Sequence, residues 1–331
     1  MFIIPTYSLA VLFCVVTMLC WGSWANTQKL AAGNWRFELF YWDYVLGIVL
    51  LALVSAFTLG SSGTEGRSFM VDVAQADSRN LFLAVFGGVI FNAANILLGA
   101  AISIAGMAVA FPVGIGLALV IGVVVNYLES PVGNPAILFG GVALIVLAIL
   151  MNANAYRKTA DKSTGVSTKG LLLAIVSGCM MGLFYKYVAQ SMFPDFSTPE
   201  TGKLSPYSAI VFFSLGVLGS NLLFNTLLML RPFTGSPVRY ADYFRGGLRN
   251  HLMGVLGGII WCIGFAFSII ASDQAGPAIS YGLGQGATVV AAIWGIYVWR
   301  EFRNATKSTY IILNAMLLCY VVGLGLLVMA R

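Results

Sequence analysis

Polar side chains are scarce in this sequence, so those inside apolar stretches mark where chemistry can occur. Gly88, Asn92, Asn95, Gly99 and Ser103 recur at steps of 4, 3, 4 and 4, which places them on one stripe of a helix. Counting about 1.5 Å per residue from Asn80 sets both asparagines near mid-membrane. There an amide can donate to and accept from hydroxyl or ureide groups; the competing reading is interhelical bonding beside small residues. A second stripe, Gly257, Trp261, Gly264 and Ser268, carries one large ring that either stacks on a sugar or planar ring or fills the core. Asn221 and Asn225, one turn apart on a face with Ser214, pose the same choice between site and helix glue.

From Trp21 to Lys29 the chain is polar almost all round, with Trp21, Trp24 and Gln28 on one face and Gly22, Asn26 and Lys29 on another. Such a segment cannot offer much surface to lipid, so Trp24 and Asn26 are expected in the wall of a pathway; an aromatic belt is the alternative for the tryptophans. Lys186, beside Tyr185 and Tyr187, is a charge within an apolar run. A lysine at a helix centre costs about 2.5–3.5 kcal/mol to insert. It either snorkels to the outer interface, or, with Tyr185, holds a substrate carbonyl or pairs with a carboxylate. The run Pro277-Ala-Ile-Ser-Tyr-Gly-Leu-Gly-Gln-Gly286 joins a proline to small residues, the composition of a moving element. Within it Tyr281 and Gln285, at i and i+4, point the same way as expected substrate contacts. Pro112-Val-Gly-Ile-Gly116 has the glycines without the polar groups and reads as packing.

Ion coupling needs a titratable group that senses the pathway. Asp43, about 9 Å into its helix from Phe37, is the first candidate. Glu38 is the second, in a first turn where the helix dipole alone favours a carboxylate. Glu129 and Asp273 sit at outer helix ends and read as surface groups, and His251, the only histidine, reads as interfacial beside Arg249. Sodium held by carbonyls at a broken helix is the alternative to a titratable group.

The elements that position these groups follow from composition. Hydrophobic residues make up 59% and charged residues 9%, against about 25% charge in soluble proteins. Apolar runs of bilayer length predict ten membrane helices at approximately 6–29, 37–59, 80–104, 107–128, 133–155, 169–192, 206–230, 249–271, 275–299 and 308–330. Met1 to Thr6 lacks a basic leader, so the first run is expected to remain as a helix. Cys14, Cys20, Cys179, Cys262 and Cys319 lie in apolar runs without CxxC spacing and read as free thiols. The net charge of +6 is spread over short loops, which speaks for topology and against nucleic acid. Connectors after odd-numbered helices hold thirteen Lys and Arg against four on the other side, with Lys186 completing the 18. The positive-inside rule then places both termini outside the cytoplasm of a cell membrane.

A shift of 165 residues pairs Gly99, Ser103 and Pro112 with Gly264, Ser268 and Pro277; a shift of 160 pairs Gly22, Trp24 and Asn26 with Gly182, Phe184 and Lys186. Two five-helix repeats, 1–155 and 169–331 joined by a connector at 156–168, would be inverted because each holds an odd number of spans. That is an arrangement of transporters whose site lies at the midplane. Ten spans, the five-plus-five repeat and the Trp-Gly pair of the first helix resemble the drug/metabolite transporter superfamily. Cys20-Trp-Gly-Ser-Trp-Ala-Asn-Thr-Gln-Lys29 and Trp35-Arg-Phe-Glu-Leu-Phe-Tyr-Trp-Asp-Tyr44 are more specific. They resemble the ureide permease branch, related to glucose/ribose and rhamnose porters. The resemblance implies proton-coupled movement of small polar solutes such as allantoin, uracil-like bases or sugars. The connector lacks the long nucleotide-binding-like loop of plant members and contains no GxxxxGK[ST], so no cofactor is expected.

An all-α integral membrane transporter taking up a small neutral polar solute is therefore the expectation. Its rivals are an exporter of the same architecture, a channel and a non-transporting sensor. The sequence has no HExxH motif, no paired intramembrane aspartates and no nucleophile–histidine pairing, which argues against an enzyme.

Overall fold

The computed structural model of the chain describes residues 1–33, 35–105, 107–159, 167–300, 302–303 and 305–331. The first half contains α1 (Tyr7–Ser23), α2 (Asn26–Leu30), α3 (Phe37–Phe57), α4 (Phe69–Gln75), α5 (Ser78–Ala105), α6 (Met107–Glu129) and α7 (Pro135–Thr159). The second contains α8 (Thr168–Ser191), α9 (Pro206–Leu230), α10 (Tyr240–Phe244), α11 (Leu248–Ala275), α12 (Pro277–Gly284), α13 (Ala287–Ile293) and α14 (Lys307–Met329), with a π-helical turn at Trp294–Val298. Nine segments are long and apolar enough to cross a membrane, α12 through the π turn counting as one; the shorter apolar α1 supplies the tenth span. The protein is an all-helical membrane protein of ten spans. Most of the connector expected at 156–168 falls on 160–166, outside the described residues.

Two expected helices are not continuous. The first span stops at Ser23 and restarts at Asn26, and the ninth stops at Gly284 and restarts at Ala287. Breaking a helix in a bilayer strands backbone carbonyls that water cannot reach. Here tighter turns carry the chain across, Thr27 N–H donating to the Trp24 carbonyl at 3.0 Å and Thr288 N–H to that of Gln285 at 3.3 Å, and side chains add to them. Asn26 Nδ2 donates to the Ser23 carbonyl at 3.0 Å and Thr27 Oγ1 to that of Trp24 at 2.8 Å. In the ninth span Thr288 Oγ1 does the same for Gln285 at 3.1 Å. Hydropathy counts apolar residues and is blind to such substitutions, which is why both spans read as unbroken in sequence.

The core lies among α1, α3, α5, α8, α9 and α11, while α7 and α14 pack on each other with much of their surface outward. Two helix crossings are close enough to exclude side chains. Gly258 of α11 lies against the Tyr44 carbonyl and Gly47 of α3 against that of Val255. Gly88 of α5 and Gly216 of α9 meet the carbonyls of Phe213 and Val85 in the same manner. A Cβ at any of these four would overlap partner backbone, so small residues set the spacing of α3 on α11 and of α5 on α9. The tight turn from α11 into α12 rests on Gly276, whose φ of +79° is strained for any residue with a Cβ.

Candidate functional site

The two breaks face each other across a cavity of about 210 Å³. Its deep end, near mid-membrane, is formed by Phe91, Met181, Phe184, Trp261 and Gln285. From there it extends to Lys29, Tyr156 and Trp299, at the span ends on the side rich in Lys and Arg. None of the described lining residues is acidic. Aromatic rings dominate the wall, with amides from Asn26, Asn95, Asn152 and Gln285 set among them. An apolar enclosure with a few convergent polar groups is the usual form of a small-molecule site.

The rings are held by the helices that carry them. Trp21 lies between Gly264 and Gly284, where a Cβ would come within 2.7 and 2.9 Å of its ring, and stacks on Trp261 at 5.9 Å with planes 11° apart. Its indole donates to the Trp261 carbonyl at 3.2 Å. The mouth is bridged by two further indoles. Trp294 Nε1 donates to Ser23 Oγ at 2.9 Å and Trp299 Nε1 to Asn26 Oδ1 at 2.7 Å, while Lys29 Nζ lies 4.6 Å above the Trp299 ring. Three tryptophan N–H groups are thus committed to protein acceptors. Among the described residues, the indole N–H groups of Trp24 and Trp261 and the Gln285 amide make no hydrogen bond.

Asn95 faces the cavity as the end of a relay. Its Nδ2 donates to Tyr41 Oη at 3.1 Å, Tyr41 donates to Asn92 Oδ1 at 2.9 Å, and Asn92 Nδ2 donates to Ser220 Oγ at 2.9 Å. The relay orients the Asn95 amide so that its oxygen is left for a ligand. Asn152 Oδ1 is buried and has no hydrogen-bond partner among the described residues.

Of the residues expected from sequence to bind solute or couple an ion, Trp24, Asn26, Asn95, Trp261 and Gln285 line this cavity, and Asn92, Tyr185, Lys186, Asn221, Tyr281, Asp43 and Glu38 do not. Asn92 stands behind Asn95 in the relay. Tyr281 reaches across to α8 and α6, donating to the carbonyls of Met181 at 3.0 Å and Ala118 at 3.3 Å; equal helix phase with Gln285 does not give equal reach to a longer side chain. Tyr185 donates to the Ser268 carbonyl at 3.1 Å beside Ser280 and Cys14, on the outer side of the cavity floor. Lys186 turns away from the cavity and pairs with Glu129 at 2.5 Å. Asn221 is fully buried and both its amide atoms lack a partner among the described residues. Glu38 pairs with Arg36, whose guanidinium also binds the carbonyls of Thr234 and Ser236.

Asp43 is 2% exposed and outside the cavity, and the histidine expected at the interface is bound to it. His251 Nδ1 lies 2.9 Å from Asp43 Oδ2, and Tyr243 Oη donates to Asp43 Oδ1 at 2.6 Å. Tyr243 sits in α10, outside the spans; burial first, and then the carboxylate beside it, push its phenol above the ordinary value, so it remains a donor.

Sequence reasoning missed Asn152, Tyr156, Thr288, Trp294 and Trp299 as wall residues. Asn152 carried a signal, being an amide in an otherwise apolar run; Trp294 and Trp299 stand near the end of a span, and only packing against the first span brings them to the wall.

Residues 40–168 and 157–330 match the profile of the ureide permease family. The chain belongs to the ureide permease family. As a member it is a membrane transporter of small solutes. Ureide permease 1 of Arabidopsis thaliana is similar at 22% identity, over 99% of this chain and 98% of its own. The glucose uptake protein GlcU of Bacillus subtilis (strain 168) is similar at 24% identity over 66% of this chain and 68% of its own. A solved protein structure superposes with a TM-score of 0.60 at 15% identity, covering 95% of this chain and 96% of that one, a likeness of fold alone. The two ureide permease matches overlap only at 157–168.

Proposed function

We propose that this permease takes up a small neutral polar solute, driven by protons, through alternating access of one site to the two sides of the membrane. The cavity between the two broken spans carries the reading. Its rings suit a planar or ring-shaped solute, and its uncommitted amide and indole groups suit carbonyl and N–H or hydroxyl partners. A wall with no acidic group among its described residues offers no counter-charge to a cationic drug, which favours a ureide, nucleobase-like compound or sugar. The printed names of the relatives, ureide permease and glucose uptake protein, lie within that range.

Two inverted halves, 1–155 and 169–331, fit the packing. α5 packs on α8 as α11 packs on α1, and α3 on α11 as α9 on α5, so moving each partner by five spans returns the same pairing. The glycine crossings follow it too, Gly47 and Gly88 in one half answering Gly216 and Gly258 in the other. With both termini outside, the cavity extends toward the cytoplasm and the Tyr185–Ser268–Ser280 cluster closes the opposite side, which describes an inward-facing stage of the cycle.

The test is uptake of labelled allantoin, uracil, nucleosides and sugars into proteoliposomes, with and without an inward proton gradient. Concentrative uptake of one class, lost when Gln285 and Asn95 are replaced by alanine, is the expected result. Uptake that is unaltered by both substitutions removes the cavity from the pathway.

A further inference from the structure

The one histidine of the chain makes no contact with the cavity, yet it sits in an environment built around it. His251, in the first turn of α11, turns Nδ1 to both oxygens of Asp43 on α3, at 3.1 and 2.9 Å. Tyr243 of α10 donates to the same carboxylate at 2.6 Å. The rings of Trp35 and Tyr243 stand edge-on to the imidazole, 5.3 and 4.8 Å away at 78° and 77°. Gly246 closes over the remaining nitrogen, and a Cβ there would lie 2.7 Å from Nε2. The carboxylate side chain is 3% exposed and the imidazole 24%, so the imidazole is the more accessible member of the pair, and its Nε2 makes no hydrogen bond among the described residues.

We propose that Asp43 and His251, clasped by Tyr243, form the site that carries the coupling proton. The inference rests on the reading of the chain as a proton-coupled transporter. With a neutral imidazole, Nδ1–H donates to the carboxylate and the pair bears one negative charge. A proton taken up at Nε2 gives imidazolium against carboxylate, a pair with no net charge. Burying a net charge in a membrane protein is far more costly than burying a neutral pair, so the loaded site favours helix arrangements that enclose it further.

No other charged group among the described residues pairs with the carboxylate. At the start of α3, Glu38 pairs with Arg36, the residue before the helix. On the segment before α11, the Asp242 carboxylate accepts from the Arg239 backbone at 2.8 Å, and Arg245 is exposed. Arg249 at the start of α11 is exposed, and Lys29, after the first break, lies over Trp299.

The pair is joined to the cavity by two short routes. Tyr44, next to Asp43, packs on Trp24 of the cavity wall at 4.7 Å between ring centres. Asn250, next to His251, accepts the Ala32 N–H at 2.9 Å and so fixes the chain just beyond α2, which carries Asn26. A shift of α11 against α3 on proton uptake therefore moves both the ring and the half-helix that face the solute.

The experiment uses the full chain in liposomes. Asp43→Asn, His251→Gln and Tyr243→Phe are compared in two assays, solute accumulation driven by a proton gradient and counterflow exchange without one. Accumulation should fall at least about tenfold in the first two variants while exchange stays within about threefold, the signature of lost coupling with binding retained. Because His251 is the only histidine, a histidine-selective NMR label reports on this site alone. Its pH-dependent signal should differ between the wild type and Asp43→Asn. Tyr243→Phe, which keeps the ring, serves if the other two fail to fold, and should impair accumulation in the same sense. Full accumulation in the variants, or a histidine titration indifferent to Asp43, overturns the proposal. A wild-type protein that neither accumulates nor exchanges any solute overturns the transport reading instead, and the titration still decides whether the pair responds to protons.

Discussion

The two ends of the membrane domain are held together differently. On the side of Phe2, Arg67 and Lys203, closure is dense: Asp72 is fully buried, bound to Arg67 at 2.9 Å and to the Ser205 N–H at 2.7 Å. Beneath it, Tyr185, Ser268, Ser280 and Cys14 tie four spans together. On the side of Lys29 and Trp299 the first and ninth spans are each broken, and they meet over the cavity mouth through two indole hydrogen bonds and one cation–ring contact. Other spans are intact: α8 runs unbroken through Lys186, and α6 through Pro112. The lesson is that helices of similar length and hydropathy differ in continuity, and the interrupted ones are where the cavity forms.

That contrast can be broken by mutation. The largest effect is expected for Trp261→Ala, which removes the ring stacked on Trp21 at the cavity floor. A loss of about 2–3 kcal/mol, as for aromatic anchors in other binding sites, weakens solute affinity roughly 30- to 150-fold. Isothermal titration with the transported solute measures it, and an unchanged affinity moves the site elsewhere. Asp72→Ala tests the opposite end. Leaving the buried Ser205 N–H without its acceptor, while Arg67 keeps the carbonyls of Glu200 and Lys203, should cost about 2 kcal/mol of stability, read as a lower unfolding temperature with affinity for the solute kept. Tyr185→Phe should loosen the outer closure by about 1 kcal/mol, the net worth of one hydrogen bond. In a variant whose other cysteines are replaced, Cys14 would then react roughly five times faster with an externally added maleimide. Equal rates would show that this cluster does not close the outer side. The smallest effect belongs to Lys186→Ala. Its partner Glu129 is 39% exposed, and an ion pair so placed contributes at most about 1 kcal/mol. Transport should stay within about twofold, and a severe loss would return Lys186 to the pathway.

Much of this was legible in sequence because a bilayer imposes simple rules. Length and hydropathy located the ten spans to within a few residues, since every segment must hydrogen-bond its own backbone across one thickness of hydrocarbon. The amides of Asn26, Asn95 and Gln285 were visible as polar groups with no business in lipid. The breaks at Trp24 and Gln285 were not, because they depend on where Asn26, Thr27 and Thr288 aim their side chains. Lys186 takes one of the roles expected of it, pairing with a carboxylate, but its partner, Glu129 on α6, is brought to it only by tertiary packing. His251 stands at a helix start as read, and that position alone did not reveal the carboxylate that α3 presents to it.

The distribution of indoles has an optical consequence. Five of the seven tryptophans, at positions 21, 24, 261, 294 and 299, border one small cavity. The intrinsic ultraviolet emission of the purified protein therefore originates largely from its solute chamber. A ligand entering that chamber changes the polarity around most of the emitters at once. The unmodified chain thus carries its own spectroscopic reporter of occupancy, readable in detergent before any vesicle is made.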